Sequence, residues 1–385
     1  MSADNLNIHK KLTGYGESIF ATMSRFALEN NALNLSQGFP DFQCPNKLLD
    51  LVSQHMKNGK NQYAPMPGVP ELKEKLAAKA EKLYGANYDP EKEITITAGA
   101  TQAIFIAISS LIHEDDEVIL FEPAYDCYAP AISLQKGRPV QIPLSPPDYK
   151  IDWEKVKKRI NYRTKMIIIN TPHNPSGTIL SNEDMRQLQK ITNNSDIVVL
   201  SDEVYEHIVF DKNDHNSVCK YPGLKDRSLA IFSFGKTYHT TGWKMGYVMA
   251  PPMLTNQFRK VYQYGMFACS TPIQHAYADF LDDEEHYLQL SDFYQKKREF
   301  LRNAMNDSRF EEIPCSGTYF QCYKYDKISN EKDTDFVSRL TKEHGVAAIP
   351  VSVFYRNRED HKVIRLCFAK EEKTLEKAAE KLCKI

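Results

Sequence analysis

The segment Ser233-Phe-Gly-Lys236-Thr-Tyr-His-Thr-Thr-Gly242-Trp-Lys244-Met-Gly246 gathers groups that packing explains poorly. Lys236 follows the apolar run Leu229-Ala-Ile-Phe232 among hydroxyls, and Lys244 lies between two glycines that let the backbone bend close to a bound group. A lysine so placed suits Schiff-base formation with an aldehyde cofactor. That chemistry needs a reachable amine, near neutral in its reactive form, beside groups that hold a phosphate. A strand-end lysine in solvent is the ordinary alternative.

Three further segments bear on the choice. Ile94-Thr-Ile-Thr-Ala-Gly99-Ala100-Thr101-Gln-Ala-Ile reads as a strand, a turn of small residues and a helix. Amides at a helix start, with a hydroxyl alongside, favour a phosphate, although an N-capping threonine reads the same way. Thr-Pro-His-Asn174-Pro175-Ser-Gly177 follows another apolar run and sets Asn170 and Asn174 at its carboxyl end; such a stretch, His173 included, is also an ordinary turn. In Ser201-Asp202-Glu-Val-Tyr205-Glu, Asp202 ends the run Ile197-Leu200. An acid there requires a cation or strong hydrogen bonds. A protonated pyridine nitrogen would serve, as would a neighbouring Arg or Lys.

The elements that must position these groups alternate. Strands are predicted at Ile94-Thr97, Glu117-Phe121, Lys165-Asn170, Asp196-Ser201, Leu229-Ser233 and Met245-Ala250, with helical stretches such as Thr101-Ile112 and Asn182-Ile191 between them. That order predicts an α/β fold with a mostly parallel sheet covered on both faces, its ligands at the carboxyl ends of the strands. From about Asp279 the pattern changes to a long charged helix (Tyr287-Asn306), strands at Thr318-Tyr323, Val346-Ile349 and Val363-Phe368, and a last helix, Glu371-Cys383. The expected division is a large domain over 46–278 and a smaller α+β domain from 1–45 and 279–385.

Composition narrows the classes. The chain has 385 residues, 42% hydrophobic and 26% charged, with a net charge of −1 from 49 basic and 50 acidic residues. No broad electrostatic footprint for nucleic acid or an anionic membrane follows. Eight cysteines lack any Cys-x-x-Cys pair, so neither a disulfide framework nor a zinc site is expected, and reduced thiols in the cytosol fit best. The polar start, Met1-Ser-Ala-Asp-Asn-Leu-Asn, lacks an apolar signal core, and no run approaches the ~20 apolar residues of a membrane span.

In order, these segments resemble the fold-type I aminotransferases, which use pyridoxal 5′-phosphate. The resemblance runs from Asn34-Leu-Ser-Gln-Gly38-Phe-Pro-Asp41 through Asn61-Gln-Tyr63-Ala-Pro to the strand Ile364-Arg365-Leu-Cys-Phe. It is closest to the branch of bacterial methionine aminotransferases and kynurenine aminotransferases, as in Ser-Phe-Gly-Lys-Thr-Tyr-His and Gly-Thr-Tyr-Phe. It implies a seven-stranded sheet and a homodimer with shared sites. Lys236 would carry the Schiff base and move the proton, and Asp202 would pair with the pyridinium nitrogen. Tyr205 and Asn174 would bond the ring's 3′ oxygen, and Tyr125 would stack on the ring. The phosphate would meet the amides of Ala100 and Thr101, the Thr101 and Ser233 hydroxyls, Lys244 and, from the partner subunit, Tyr63. Arg365 would clamp the substrate α-carboxylate, approached also by the backbone at Gly38, with Asn170 supporting the cluster. Phe20 occupies the position of an aromatic substrate-facing residue, and could equally be core. Bonds Glu122-Pro123 and Asn174-Pro175 would be cis. No motif supplies a second arginine for a dicarboxylic side chain, so methionine or another apolar or aromatic amino acid is the expected donor to a 2-oxo acid. A cysteine-conjugate β-lyase would share these motifs. A non-catalytic amino-acid-binding regulator would carry an added DNA-binding domain, for which the roughly thirty residues before Gly38 leave no room. A nucleotide-binding enzyme would need a glycine-rich phosphate motif that is absent.

Overall fold

The computed structural model describes residues 11–385; the polar start, Met1 to Asn7, lies outside the described residues. In chain order, β1 (Leu33–Asn34) precedes seven strands that form one sheet: β2 (Ile94–Thr97), β3 (Glu117–Glu122), β4 (Arg138–Pro143), β5 (Thr164–Asn170), β6 (Val198–Asp202), β7 (Ser228–Ser233) and β8 (Gly246–Met249). The order is β2-β8-β7-β6-β5-β3-β4, and β8 alone runs against its neighbours β2 and β7. The mostly parallel α/β sheet expected from the alternation is therefore present. Its central strands are continuous apolar runs, such as Met166-Ile-Ile-Ile169, because helices cover both faces.

The strand Arg138–Pro143 has no counterpart in the sequence reading, for a physical reason. It sits at the sheet edge, pairs only with β3, and contains Pro139 and Pro143 among half-exposed residues. Proline lacks the ladder N–H and is tolerated at such an edge, so the run reads as a loop.

Five short strands follow: β9 (Glu311–Glu312), β10 (Phe320–Lys324), β11 (Val346–Ala347), β12 (Ile349–Pro350) and β13 (Val363–Cys367). Four form an antiparallel sheet in the order β12-β13-β10-β9, while β1 pairs with β11. The single strand expected at Val346-Ile349 is thus split between two sheets. The long helix expected over Tyr287-Asn306 is divided at Gln289 into Glu285–Leu288 and Leu290–Ala304.

Two apolar clusters result. One lies around the seven-stranded sheet. The other joins Met23, Ala27 and Leu35 to Leu301, Leu340, Val346 and Ile364, and also takes in Tyr205 and Ile208. The two meet at the carboxyl ends of β5, β6 and β7. Asn170 and Asp202 are register partners there, and Ser233 closes β7. The eight cysteines are unpaired thiols. Among the described residues, no helix is long and apolar enough to cross a membrane, and no cluster of metal-ligating side chains occurs.

Candidate active site

A cavity of about 320 Å³ opens where these strand ends meet the antiparallel sheet. It is lined by Phe20, Gly38, Ala100, Thr101, Tyr125, Asn174, Asp202, Tyr205, Ser233, Lys236, Lys244 and Arg365, with Asn170 beside them. Of the residues singled out in the sequence for the site, Tyr63 alone lies elsewhere: it is 83% exposed, and its ring packs edge-on against Phe267.

Lys236 is delivered by the short helix Phe234–Thr237, which begins where β7 ends. Its Nζ donates to the Gly38 carbonyl at 3.2 Å and to the Tyr319 hydroxyl at 2.8 Å. Burial, helped by the nearby Lys244 and Arg365 charges, pushes the amine down to about 8. A lysine near neutrality is a usable nucleophile and base.

Asp202 is 4% exposed at the end of β6. It accepts from the Tyr128 hydroxyl at 2.5 Å and, weakly, from the Val204 amide at 3.4 Å. Burial raises the carboxyl to about 6 against these donors. Among the described residues no cationic side chain forms a direct ion pair with it, although the nearby Lys236 charge favours the carboxylate. A buried acid that faces a cavity and has no direct ion-pair partner suits a ligand cation.

The opposite charge is also in place. Arg365 is fully buried on β13, and its guanidinium lies 3.8 Å from the centroid of Phe320. Its terminal nitrogens donate to Asn174 Oδ1 at 2.7 Å and to the Ser36 carbonyl at 2.8 Å, while Nε has no partner. Among the described residues no carboxylate pairs with Arg365, Lys236 or Lys244. Both arginine contacts are neutral, which leaves a full charge to attract an anion.

At the other end, the helix Ala100–Leu111 starts without a side-chain cap, so the Ala100 and Thr101 amides have no intrahelical acceptor. Gly99 turns the chain into this helix at φ +77°, the left-handed region that glycine enters freely. Thr101 Oγ1 lies 3.3 Å from the Tyr125 hydroxyl. Lys244, itself left-handed at φ +54°, runs its side chain past Gly99. Amides, hydroxyls and an ammonium converge as a phosphate requires.

These features fit pyridoxal 5′-phosphate at each of its parts: a free amine for the aldehyde, an unpaired buried acid for the ring nitrogen, and uncapped amides for the phosphate. The bonds Glu122-Pro123 and Asn174-Pro175 are both cis, as are Pro146-Pro147 and Thr171-Pro172. His173 bonds Ser176 within its turn and does not line the cavity.

Three contributors were not legible as such. Tyr128 stands three residues after Tyr125, a helical spacing that could have paired them. Phe320 and Tyr319 lie in the quoted Gly-Thr-Tyr-Phe stretch, but nothing in their identity ties one to an arginine and the other to a lysine.

Comparison with known proteins gives the family. The family model for aminotransferase class I and II matches residues 30–382. The methionine aminotransferase of Escherichia coli (strain K12) is 49% identical, with 99% of each chain covered. The human kynurenine–oxoglutarate transaminase 1 is 32% identical, with 97% of each covered. The crystal structure of YbdL from Escherichia coli, whose reactivity identifies a methionine aminotransferase function, superposes with a TM-score of 0.97 at 49% identity, covering 99% of this chain and 100% of that one. The fold, the site and these likenesses converge, and the chain belongs to the class I and II aminotransferases, a family of pyridoxal-phosphate enzymes.

Proposed function

We propose that this aminotransferase takes the amino group from methionine, or a similar apolar or aromatic amino acid, and gives it to a 2-oxo acid. The observation that carries this reading is the 49% identity to the Escherichia coli methionine aminotransferase across 99% of both chains. The cavity supports it. Among the described residues Arg365 is the one arginine in its lining, and Phe20, Ile104 and Phe320 supply apolar surface that suits an apolar side chain.

In this reading Lys236 would hold the cofactor covalently, and its amine, once free, would take the α-proton of the substrate. Asp202 keeps the ring nitrogen protonated, and Tyr128 fixes the carboxylate that does so. The bound cofactor supplies an electron sink for the pair left on the α-carbon. Tyr205 and Asn174 hold the ring's 3′ oxygen; Asn174 has spent its Oδ1 on Arg365, which leaves its amide nitrogen for that task. Tyr125 stacks on the ring. The Ala100 and Thr101 amides, with Ser233 and Lys244, hold the phosphate, and Arg365 with Gly38 holds the substrate carboxylate. We place residues 46–278 in a large domain and residues 11–45 with 279–385 in a small one; residues 1–10 of the expected small domain lie outside the described residues. The working unit is a homodimer in which Tyr63 serves the partner's phosphate site, and eight unpaired thiols support a reducing, cytoplasmic setting.

The test is a panel of half-reactions that follows the bound cofactor's absorbance after adding methionine, phenylalanine, kynurenine, glutamate or a cysteine conjugate. Methionine should convert the cofactor with the highest kcat/KM. Preference for glutamate would sink the donor assignment, and faster pyruvate release from the conjugate would favour the lyase.

A further inference from the structure

Resting on the reading of Lys236 as the catalytic amine, we propose that the Tyr319 hydroxyl and the Gly38 carbonyl form a seat that orients its free Nζ, which makes Tyr319 a positioning residue for proton transfer.

The direction of each hydrogen bond follows from what each atom can do. A carbonyl only accepts, so the Tyr319 hydroxyl spends its single proton on the Gly38 oxygen at 2.5 Å. Its oxygen is then an acceptor for Lys236 Nζ at 2.8 Å, and the Gly38 carbonyl accepts a second N–H at 3.2 Å. A neutral amine has two N–H groups, and both are used. Its lone pair is therefore left for the cavity that Lys236 lines. When the amine takes a proton from the substrate α-carbon, the new N–H is the one without a protein partner. That proton is the one free to be returned later in the same half-reaction, so the amine ends as it began.

The seat is rigid. Tyr319 is fully buried, with its ring 5.1 Å from Tyr205, 5.6 Å from Tyr294 and 4.9 Å from Phe320. The Gly38 carbonyl belongs to a tethered segment: Arg365 holds the Ser36 carbonyl, and Lys370 Nζ donates to that of Phe39 at 2.8 Å. A Cβ at position 38 would come within 2.7 Å of the Phe320 ring, so only glycine brings the carbonyl this close. A rigid seat is what near-attack geometry requires.

The experiment compares Tyr319→Phe with Tyr294→Phe, which removes an unpartnered hydroxyl from the same aromatic cluster. In the cofactor-free protein, Lys236 acetylation by acetic anhydride is followed by mass spectrometry from neutral to alkaline pH. The charged and titratable groups around this amine are Asp202, Lys244, Arg365, Cys367 and Tyr205, with Tyr319 itself. A hydroxyl acceptor favours ammonium over amine, so its loss should move the labelling midpoint down by about one unit. In the loaded enzyme, Tyr319→Phe should lose about tenfold or more in kcat with KM little changed, and the isotope effect from α-deuterated methionine should rise. A more neutral amine that reacts more slowly is the mark of lost orientation. Tyr294→Phe should change none of these. An unmoved midpoint and isotope effect in Tyr319→Phe would overturn the assignment, as would a variant that no longer folds. Either result would leave the aminotransferase reading standing. Full activity in Lys236→Ala would remove that reading itself.

Discussion

Arg365 carries the substrate end of the site, and its surroundings predict how it responds to change. Its charge is buried against Phe320 and bonded only to the neutral Asn174 and Ser36 oxygens. Arg365→Lys keeps the charge but loses the planar fork. Arg365→Ala loses both and leaves a substrate carboxylate without its main partner. Charge-assisted hydrogen bonds contribute roughly 1.5–3 kcal/mol each, so the alanine change should cost on the order of 10²-fold or more in kcat/KM. Cofactor affinity, titrated through its absorbance, should hardly change, and loss of cofactor with normal kcat/KM would make Arg365 a structural or phosphate group. Lys236 offers a test through stability. Its amine titrates near 8 in the fold and at 10.5 when exposed. Between those values the unfolded chain binds more protons, so the contribution of Lys236 to cofactor-free stability rises with pH across that window. Lys236→Met should therefore melt higher than the wild type at neutral pH, with the gap narrowing from about pH 8 to 10.5. A gap that does not depend on pH would mean that the lysine is not desolvated.

At the scale of elements, the loop after β6 shows how site residues are held from behind. In Asp202-Glu-Val-Tyr205-Glu, positions 202 and 205 face the cavity, while the carboxylates of Glu203 and Glu206 are buried in other company. Glu203 accepts from Ser201, the Val218 amide and His215. Glu206 accepts from Lys79 at 2.6 Å, from Tyr247 at 3.2 Å and from Tyr84, which ties the loop to the helix Pro70–Tyr84 and to β8. Burial alone would raise Glu206, but His207 and Lys79 outweigh it and hold the carboxyl well below the usual range. Removing one partner of such a pair strands the other charge, so Glu206→Gln should cost about 3–5 kcal/mol in urea unfolding. Glu206→Gln with Lys79→Met should recover most of that loss, and a double variant as weak as the single would rule out the pair as the cause. This network also marks where sequence reading stops. Lys236, Asp202 and Asn174 were legible because strand-end polar groups are unusual against apolar runs, and Arg365 only through the resemblance to the aminotransferases. The Lys79–Glu206 pair joins positions 127 apart and leaves no local periodicity. Strand β4 was hidden by its prolines, and Tyr319 by resembling any core tyrosine.

The whole molecule poses the question of how many chains make one site. The cavity of a single chain gathers every proposed cofactor contact except Tyr63, which stands on the surface with its ring against a second exposed aromatic residue, Phe267. Exposed aromatic surface of this kind suits burial against another protein face. In a twofold dimer the same patch serves both subunits, so each would lend its Tyr63 to the other's cavity. Subunit mixing tests this arrangement. Tyr63→Ala and Lys236→Ala chains are each prepared as a crippled enzyme, then unfolded and refolded together so that the subunits recombine. If the site is shared, a hybrid dimer holds one cavity with both defects and one with neither. Random pairing makes half of the dimers hybrids, so activity should recover to about one quarter of the wild-type value per chain. If both residues act within one chain, every cavity in the hybrid keeps a defect and nothing is regained. Differently tagged subunits, purified through both tags, show that hybrids formed. Their inactivity would mean that Tyr63 and Lys236 act in cis, within one chain.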